Sequence, residues 1–166
     1  MINNNVKQGH QFKDFIPLVV ILAIIIMFTI ARSYLEHNYQ LPAIMMNFMG
    51  AFFIIFGSFK IMKLKSFAQA YATYDLLAQR SRIYALAYPF IEVTLGILYL
   101  MHVESPVLNI ITFIIMLMSS IGVFIELLKG KEIMCACLGT VFKIPMTYVT
   151  LLEDLLMAGM ALLMLF

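Results

Sequence analysis

The chain has 166 residues, of which 63% are hydrophobic and only 12% are charged, and its formal net charge is +2. A soluble globular domain contains roughly 45–50% apolar and about 25% charged residues, and a water-soluble core of this size cannot bury the difference. The charge is small and scattered, which excludes nucleic acid as a partner. The composition therefore predicts an integral membrane protein surrounded by a lipid bilayer.

Five apolar stretches are long enough to cross a bilayer, because each crossing takes about 20 apolar residues in a helix. The first covers residues 15–31. It exceeds the usual length of a signal-peptide core and lacks an A-x-A-like cleavage site, which favours an uncleaved anchor. The other four cover residues 41–59, 83–101, 107–125 and 144–166. The pattern predicts an all-α protein with four or five transmembrane helices.

The stretch between the second and third apolar segments, residues 64–82, has a different pattern. Its apolar and aromatic residues recur on a helical period, at Leu64, Phe67, Tyr71 and Tyr74. Ser66 and Gln69 have the spacing of a capping box at the helix start. The pattern predicts an amphipathic helix that lies on the membrane surface.

Positive charges in short loops predict the orientation, because lysine and arginine stay on the cytoplasmic side. With the N-terminus inside, all of the 11 Lys and Arg residues except Arg32 fall on the cytoplasmic side. The opposite orientation would reverse that ratio. We therefore expect a multi-pass protein of the bacterial inner membrane, with a cytoplasmic N-terminus and cytoplasmic loops at residues 60–82 and 126–143.

Cys135 and Cys137 form a C-x-C motif in the loop before the last apolar segment. Two thiols one residue apart can bind a soft ion such as Cu(I), with Met134 and Met146 as further sulfur ligands. They can instead cycle between a dithiol and a strained, easily reduced disulfide. A cysteine can also serve simply as a small buried apolar residue. The motif favours a function but does not separate metal binding from redox chemistry.

Carboxylates inside apolar segments are the second signal, because an ionisable group in a bilayer is costly and usually functional. Glu92 lies in the third segment, and Glu153 and Asp154 lie in the last one. Helical rise places Glu153 and Asp154 in the cytoplasmic half of the membrane, and Glu92 in the same half or near the midplane. We expect a supporting charge network that also includes Lys60, Lys143 and Asp75, with Arg80 as a further candidate. The network either fixes helix register or handles the protons that thiol oxidation releases.

Motifs of soluble enzymes do not occur in the sequence. It contains no Walker loop, no G-x-S-x-G, no H-E-x-x-H and no dinucleotide fingerprint. The three histidines, His10, His37 and His102, lie at segment ends on both sides of the membrane and predict no metal site. Catalysis of the soluble type is therefore not expected.

Four short patterns follow one another at defined spacing: F-G-x-x-K at 56–60, P-x-x-E at 89–92, C-x-C-L-G-T at 135–140 and an acidic pair at 153–154. In this order they resemble the MauE/DoxX superfamily of small redox-associated membrane proteins, and the later run looks most like the MauE-like branch. The resemblance implies a DoxX-like four-helix transmembrane bundle over residues 43–166. Residues 1–42 would then add a cytoplasmic tail, one extra transmembrane helix and an external loop.

The resemblance also implies a function. MauE-like proteins are associated with methylamine utilisation and with disulfide formation alongside a thioredoxin-like partner, and DoxX relatives are linked to quinone chemistry. We therefore expect support of thiol/disulfide chemistry, or maturation of a partner protein, with Cys135, Cys137, Glu92 and Glu153 as the catalytic residues. Some MauE-like chains carry a fused metal-binding domain, so Cu(I) binding or transport is the alternative. The cofactor would be a quinone or Cu(I), and the partner would be a thioredoxin-like or metal-binding protein. The chain could form a homo-oligomer with either function.

Overall fold

The computed structural model describes residues 16–129 and 147–166, and every regular element in these ranges is an α-helix. The helices are α1 (Ile16–Leu35), α2 (Leu41–Met62), α3 (Leu64–Tyr71), α4 (Arg82–Leu100), α5 (Pro106–Leu128) and α6 (Thr147–Leu163). Four of them, α1, α2, α4 and α5, are long and apolar enough to cross a membrane. The expected all-α membrane protein is confirmed.

The helices other than α3 run alternately up and down, so their ends lie at two opposite faces of the bundle. We use the name "α3 end" for the face that holds α3, the turns of residues 72–81 and the end of α5. The opposite face, which holds the short connections 36–40 and 101–105, is the "link end". Helix α4 packs against α2, α6 packs against α5, and α1 packs on the outside of α2. The side chains of α2, α4, α5 and α6 meet in the centre.

Helices α2 and α4 approach each other closely because glycines line their contact. A Cβ atom on Gly96 would lie 2.9 Å from the carbonyl oxygen of Gly50, and one on Gly57 would lie 3.2 Å from the carbonyl oxygen of Pro89. Small residues allow such backbone contact between membrane helices, where the hydrophobic effect provides no drive for association. This close contact determines which side chains of the two helices face each other.

Helix α2 continues beyond the apolar stretch that predicted it. The sequence pattern ended at residue 59, whereas the helix ends at Met62. Lys60 therefore stays on a helical turn, and its side chain points into the bundle with only 7% of its surface exposed. A charged residue at the end of an apolar run marks the end of hydrophobicity, which need not be the end of the helix.

The surface helix differs from its prediction in length, cap and environment. Helix α3 ends at Tyr71, and its N-cap is Lys63 with no side-chain hydrogen bond, so the capping box at Ser66 and Gln69 is wrong. Its apolar face is also not turned to lipid. Phe67 and Tyr71 are each 1% exposed and pack on the helices below, because the bundle offers these rings a closer-packed surface than lipid does.

Candidate functional site

A buried ion pair joins α2 to α4. The Lys60 Nζ atom donates hydrogen bonds to both carboxylate oxygens of Glu92, at 2.5 and 2.6 Å. Both residues are buried, with 7% and 4% of their surface exposed. Antiparallel packing brings the last turn of α2 to the middle of α4, and this juxtaposition forms the pair. Lys60 was one of the two lysines that the sequence suggested as a partner for the acidic residues.

Aromatic rings enclose this pair on the side of the α3 end. The Lys60 Nζ atom lies 5.5 Å from the ring centroid of Phe67 and 5.1 Å from that of Tyr88, which are cation–π distances. Tyr71 packs on Tyr88 with 4.4 Å between ring centroids. The rings separate the charges from bulk water, and an electrostatic interaction is stronger where water is excluded.

The pair opens onto a small internal cavity of about 20 Å³. A volume of about 10–15 Å³ suffices for one water molecule, so the cavity has room for a water but not for a quinone ring. All five helices that surround the centre contribute to it: α2, α3, α4, α5 and α6. Its polar lining consists of Lys60, Tyr71, Tyr74, Tyr88, Glu92, Ser119, Thr150, Glu153 and Asp154.

Two carboxylate oxygens at this cavity lack a hydrogen-bond partner among the residues that the structure describes. They are Oε1 of Glu153 and Oδ2 of Asp154, and both atoms are buried. A buried polar atom without a partner costs roughly 1–3 kcal/mol, more when it is charged. Such an atom is stable when a water or a proton satisfies it. The cavity of one-water size lies at these two residues.

Asp75 lies beside this site but is held by uncharged donors. Its carboxylate accepts a hydrogen bond from the Tyr71 hydroxyl at 2.9 Å and from the backbone N–H groups of Leu77 and Ala78 at 3.0 and 2.8 Å. Burial raises the pKa of Tyr71 and of Tyr74 well above the usual value for tyrosine. Both hydroxyls therefore remain protonated donors. Arg80, the further candidate, lies apart from this cavity and lines a different one on the surface.

A second polar cluster at the link end was missed by the sequence analysis. Arg32 donates to Glu36 at 2.7 Å and to the carbonyl oxygen of Leu100 at 2.6 Å. Asn47 donates to Glu36 at 3.4 Å, and its Oδ1 lies 2.9 Å from Nε2 of His102. The hydrogen bond from Arg32 lowers the pKa of Glu36 below its usual value. The sequence showed polar residues at the ends of the apolar segments. It did not show that residues around the connection 36–40 form hydrogen bonds with residues around the connection 101–105.

The C-x-C motif lies outside the described residues. This also holds for the other predicted site residues in that stretch, which are Met134, Lys143 and Met146. The chain that carries them leaves α5 at the α3 end and enters α6 at Thr147 on the same face. Within the described ranges, no group of three or more His, Cys, Asp or Glu residues has the arrangement of a metal site. The roles assigned to both cysteines, in redox chemistry or with Cu(I), stay predictions.

Comparison with known protein families identifies a match. The family model described as "Methylamine utilisation protein MauE" matches residues 38–166, which is more than half of the chain. This confirms the MauE part of the resemblance, and the link to DoxX stays a prediction. No curated protein and no solved structure matches the chain.

Proposed function

This chain belongs to the MauE family, and from that premise we propose that it supports thiol/disulfide chemistry on a partner protein through Cys135 and Cys137. The observation that carries the proposal is the buried group of Lys60, Glu92 and Glu153 at the cavity. A set of charges this costly inside a membrane protein is by default functional. The helix that contributes Glu153 begins where the cysteine-bearing segment ends.

The proposed reaction is an exchange with a thioredoxin-like protein. A thiolate of the reduced partner attacks one sulfur of the Cys135–Cys137 disulfide and forms a mixed disulfide, and the other cysteine leaves as a thiolate. The partner's second thiolate then attacks the partner's sulfur in the mixed disulfide, and the remaining cysteine of this chain leaves. The partner loses two electrons and two protons and gains a disulfide, while Cys135 and Cys137 each become a thiol. Exchange with an oxidised protein of the same class returns the pair to its disulfide. No further oxidant is needed for the two steps to balance.

The role we assign to Glu153 is proton transfer to and from these thiols. Its unpartnered oxygen lies at a cavity with room for one water. It follows Thr147 by six residues, or about 9 Å of helical rise. A thiol must lose its proton to become a nucleophile, and a carboxylate in reach, directly or through one water, can accept it. The Lys60–Glu92 pair beside Glu153 would compensate the change of charge at the site as Glu153 gains and loses a proton.

The orientation we propose puts the α3 end in the cytoplasm, at the inner face of a bacterial membrane. The described basic residues at this end, from Lys60 to Arg82 and at Lys129, support the proposal because positive charge is retained on that side. The exchange would then occur on cytoplasmic partners, or electrons would be relayed from there.

The test is labelling of the full chain in membranes with a thiol-reactive mass tag. We expect two tags on the reduced protein and none on the fraction that carries the disulfide, with the shift lost in Cys135→Ser with Cys137→Ser. Glu153→Gln should slow re-reduction by a thioredoxin-like protein by about 10²-fold, within the usual range for a general acid, because Glu153 would donate the proton that the leaving thiolate takes up. Glu104→Gln, an exposed carboxylate at the link end, is the matched control and should change nothing.

Identical labelling with and without reductant, under every growth condition, would refute the redox proposal. If the purified protein also bound Cu(I) stoichiometrically, and lost it when both cysteines were replaced, the same residues would be assigned to metal binding. Met134→Leu and Met146→Leu would then show which thioethers contribute, because thioether sulfur prefers Cu(I).

A further inference from the structure

The surface of the α3 end contains a basic hollow between α3 and the start of α4. Its volume is about 610 Å³. Small buried side chains, Ala68 and Ala78, form part of its wall, and the charged side chains of Lys65, Arg80 and Arg82 stand exposed around it. We call these three cationic residues with the two alanines the basic hollow. It is separate from the internal cavity and shares no lining residue with it.

The cations of the hollow are not neutralised by the described part of the chain. Lys60 pairs with Glu92 and Lys129 with Glu126, whereas Lys65, Arg80 and Arg82 form no salt bridge with a described residue. The described lining residues also include no carboxylate. Three like charges around a concave, partly apolar wall concentrate a positive potential there. The hollow therefore attracts an anion.

The position of the hollow indicates an amphiphilic anion. Arg82 is the first residue of α4, and the next residue, Ile83, is 80% exposed. Leu86, one helical turn further along, also lines the hollow. Met62 at the end of α2 is 73% exposed. Charged side chains and exposed apolar side chains thus lie within one helical turn of each other. This arrangement is typical of the membrane interface, where lipid headgroups meet acyl chains.

We propose that the basic hollow binds the phosphate headgroup of an anionic phospholipid, with Lys65, Arg80 and Arg82 as its ligands. Arginine forms paired hydrogen bonds with phosphate oxygens, and basic pockets at this depth are suited to anionic headgroups. The acyl chains would run along the exposed side of α4. This site does not depend on the cysteine chemistry proposed above.

The test is native mass spectrometry of the full chain, purified in detergent and titrated with three probes. These are phosphatidylglycerol, phosphatidylcholine with the same acyl chains, and inorganic phosphate. We expect retention of phosphatidylglycerol in clear preference to the other two. Replacing Lys65, Arg80 and Arg82 together with glutamine should weaken its binding about a hundredfold, or about fivefold for each charge.

The matched control is Lys63→Gln, which removes one exposed positive charge at the same end but outside the hollow. It should weaken binding less than twofold. Gln69→Glu adds a carboxylate to the rim at an exposed position and should weaken binding about fivefold. This second variant keeps the proposal testable if the triple variant fails to fold, as judged by its helical circular dichroism.

Two results would overturn the proposal. An effect of Lys63→Gln equal to that of Lys65→Gln would mean that general surface charge, and not the hollow, attracts the lipid. Binding of inorganic phosphate as tight as that of phosphatidylglycerol, with no preference between the two lipids, would assign the hollow to a soluble phosphate compound. A preference for phosphatidylglycerol that only the variants in the hollow remove would support the lipid site.

Discussion

The two ends of the bundle both contain a cluster of charged and polar residues, but the clusters differ in burial and in completeness. At the link end, the side chains of Arg32 and Glu36 remain 31% exposed, and every member of the cluster has a hydrogen-bond partner. At the α3 end, Lys60 and Glu92 are buried, and oxygens of Glu153 and Asp154 lack partners among the described residues.

This contrast fits a structural role for the link-end cluster and the chemical role that we propose for the α3-end cluster. The link-end cluster ties the end of α1 to α2 and to the end of α4, and hydrogen bonds connect its members to one another. The α3-end cluster retains unsatisfied acceptors beside a cavity of one-water size. A completed network stabilises a fold, whereas an incomplete one in a buried position can take up a proton.

The two ends should differ most in the free energy of unfolding that is lost when one partner of an ion pair is removed. Lys60→Met leaves the Glu92 carboxylate buried and unpaired, which should cost about 3–5 kcal/mol of unfolding free energy. The double variant Lys60→Met with Glu92→Leu should recover most of this loss, since apolar residues replace both charges. The measurement is reversible unfolding in mixed micelles, followed by circular dichroism.

The control for this experiment is Arg32→Met at the link end. Because that pair is partly exposed, its loss should cost about 0–1 kcal/mol. Loss of the hydrogen bond to the Leu100 carbonyl should add about 1 kcal/mol, so the total stays below the loss expected for Lys60→Met. Equal losses at the two ends would show that burial does not distinguish the two clusters.

An intermediate effect is expected where the turns of the α3 end pack on α5. A Cβ atom on Gly122 would lie 2.5 Å from the Tyr74 carbonyl oxygen and 3.1 Å from Cα of Asp75. These are backbone atoms that cannot rotate away, so Gly122→Ala should destabilise the protein by about 1–3 kcal/mol. The near-ultraviolet circular dichroism of the tyrosines should weaken as the turns separate from α5.

Gly159 provides the matched control on α6, because a Cβ atom there would meet no atom within 4 Å. Gly159→Ala should leave stability unchanged or raise it by up to about 1 kcal/mol, through the higher helix propensity of alanine. If Gly122→Ala were equally harmless, the close contact between α5 and the tyrosine-bearing turns would be contradicted.

The smallest effect on stability should come from replacing Glu36, the exposed acidic residue of the link end. The hydrogen bond from Arg32 lowers the pKa of Glu36 in the folded state. The charge of Glu36 therefore stabilises the folded state at pH values above the glutamate pKa of the unfolded chain, which is about 4.3. This stabilisation is lost as the pH falls below that value. Glu36→Gln should cost less than about 1 kcal/mol at pH 7, because the pair is exposed to water.

The check is a pair of stability curves for the natural protein and Glu36→Gln between pH 7 and pH 3. The two curves should converge as Glu36 becomes protonated. A difference between them that persisted unchanged at pH 3 would show that the charge of Glu36 does not stabilise the link end.

Membrane insertion and the helices follow from the amino-acid sequence. Apolar stretches of bilayer length can satisfy their backbone groups only as helices in lipid, so composition and period suffice to locate α1, α2, α4 and α5. The acids within apolar stretches, Glu92, Glu153 and Asp154, were equally visible in the sequence, because a carboxylate in an apolar run is rare. The family resemblance along these segments could also be recognised in the sequence, and the match to MauE confirms the MauE part of it.

The partners of these residues depended on how the helices pack. Glycine contacts between α2 and α4 bring Lys60 to Glu92, and the contact of Gly122 with the turns places the tyrosines over the cavity. Arg32, Asn47 and His102 meet across two connections that are far apart in the chain. Helical period indicates which face of a helix is apolar, but the depth and rotation at which two helices meet depend on side chains of both. For that reason the types of the important residues could be predicted from the sequence, whereas their pairing could be determined only from the tertiary structure.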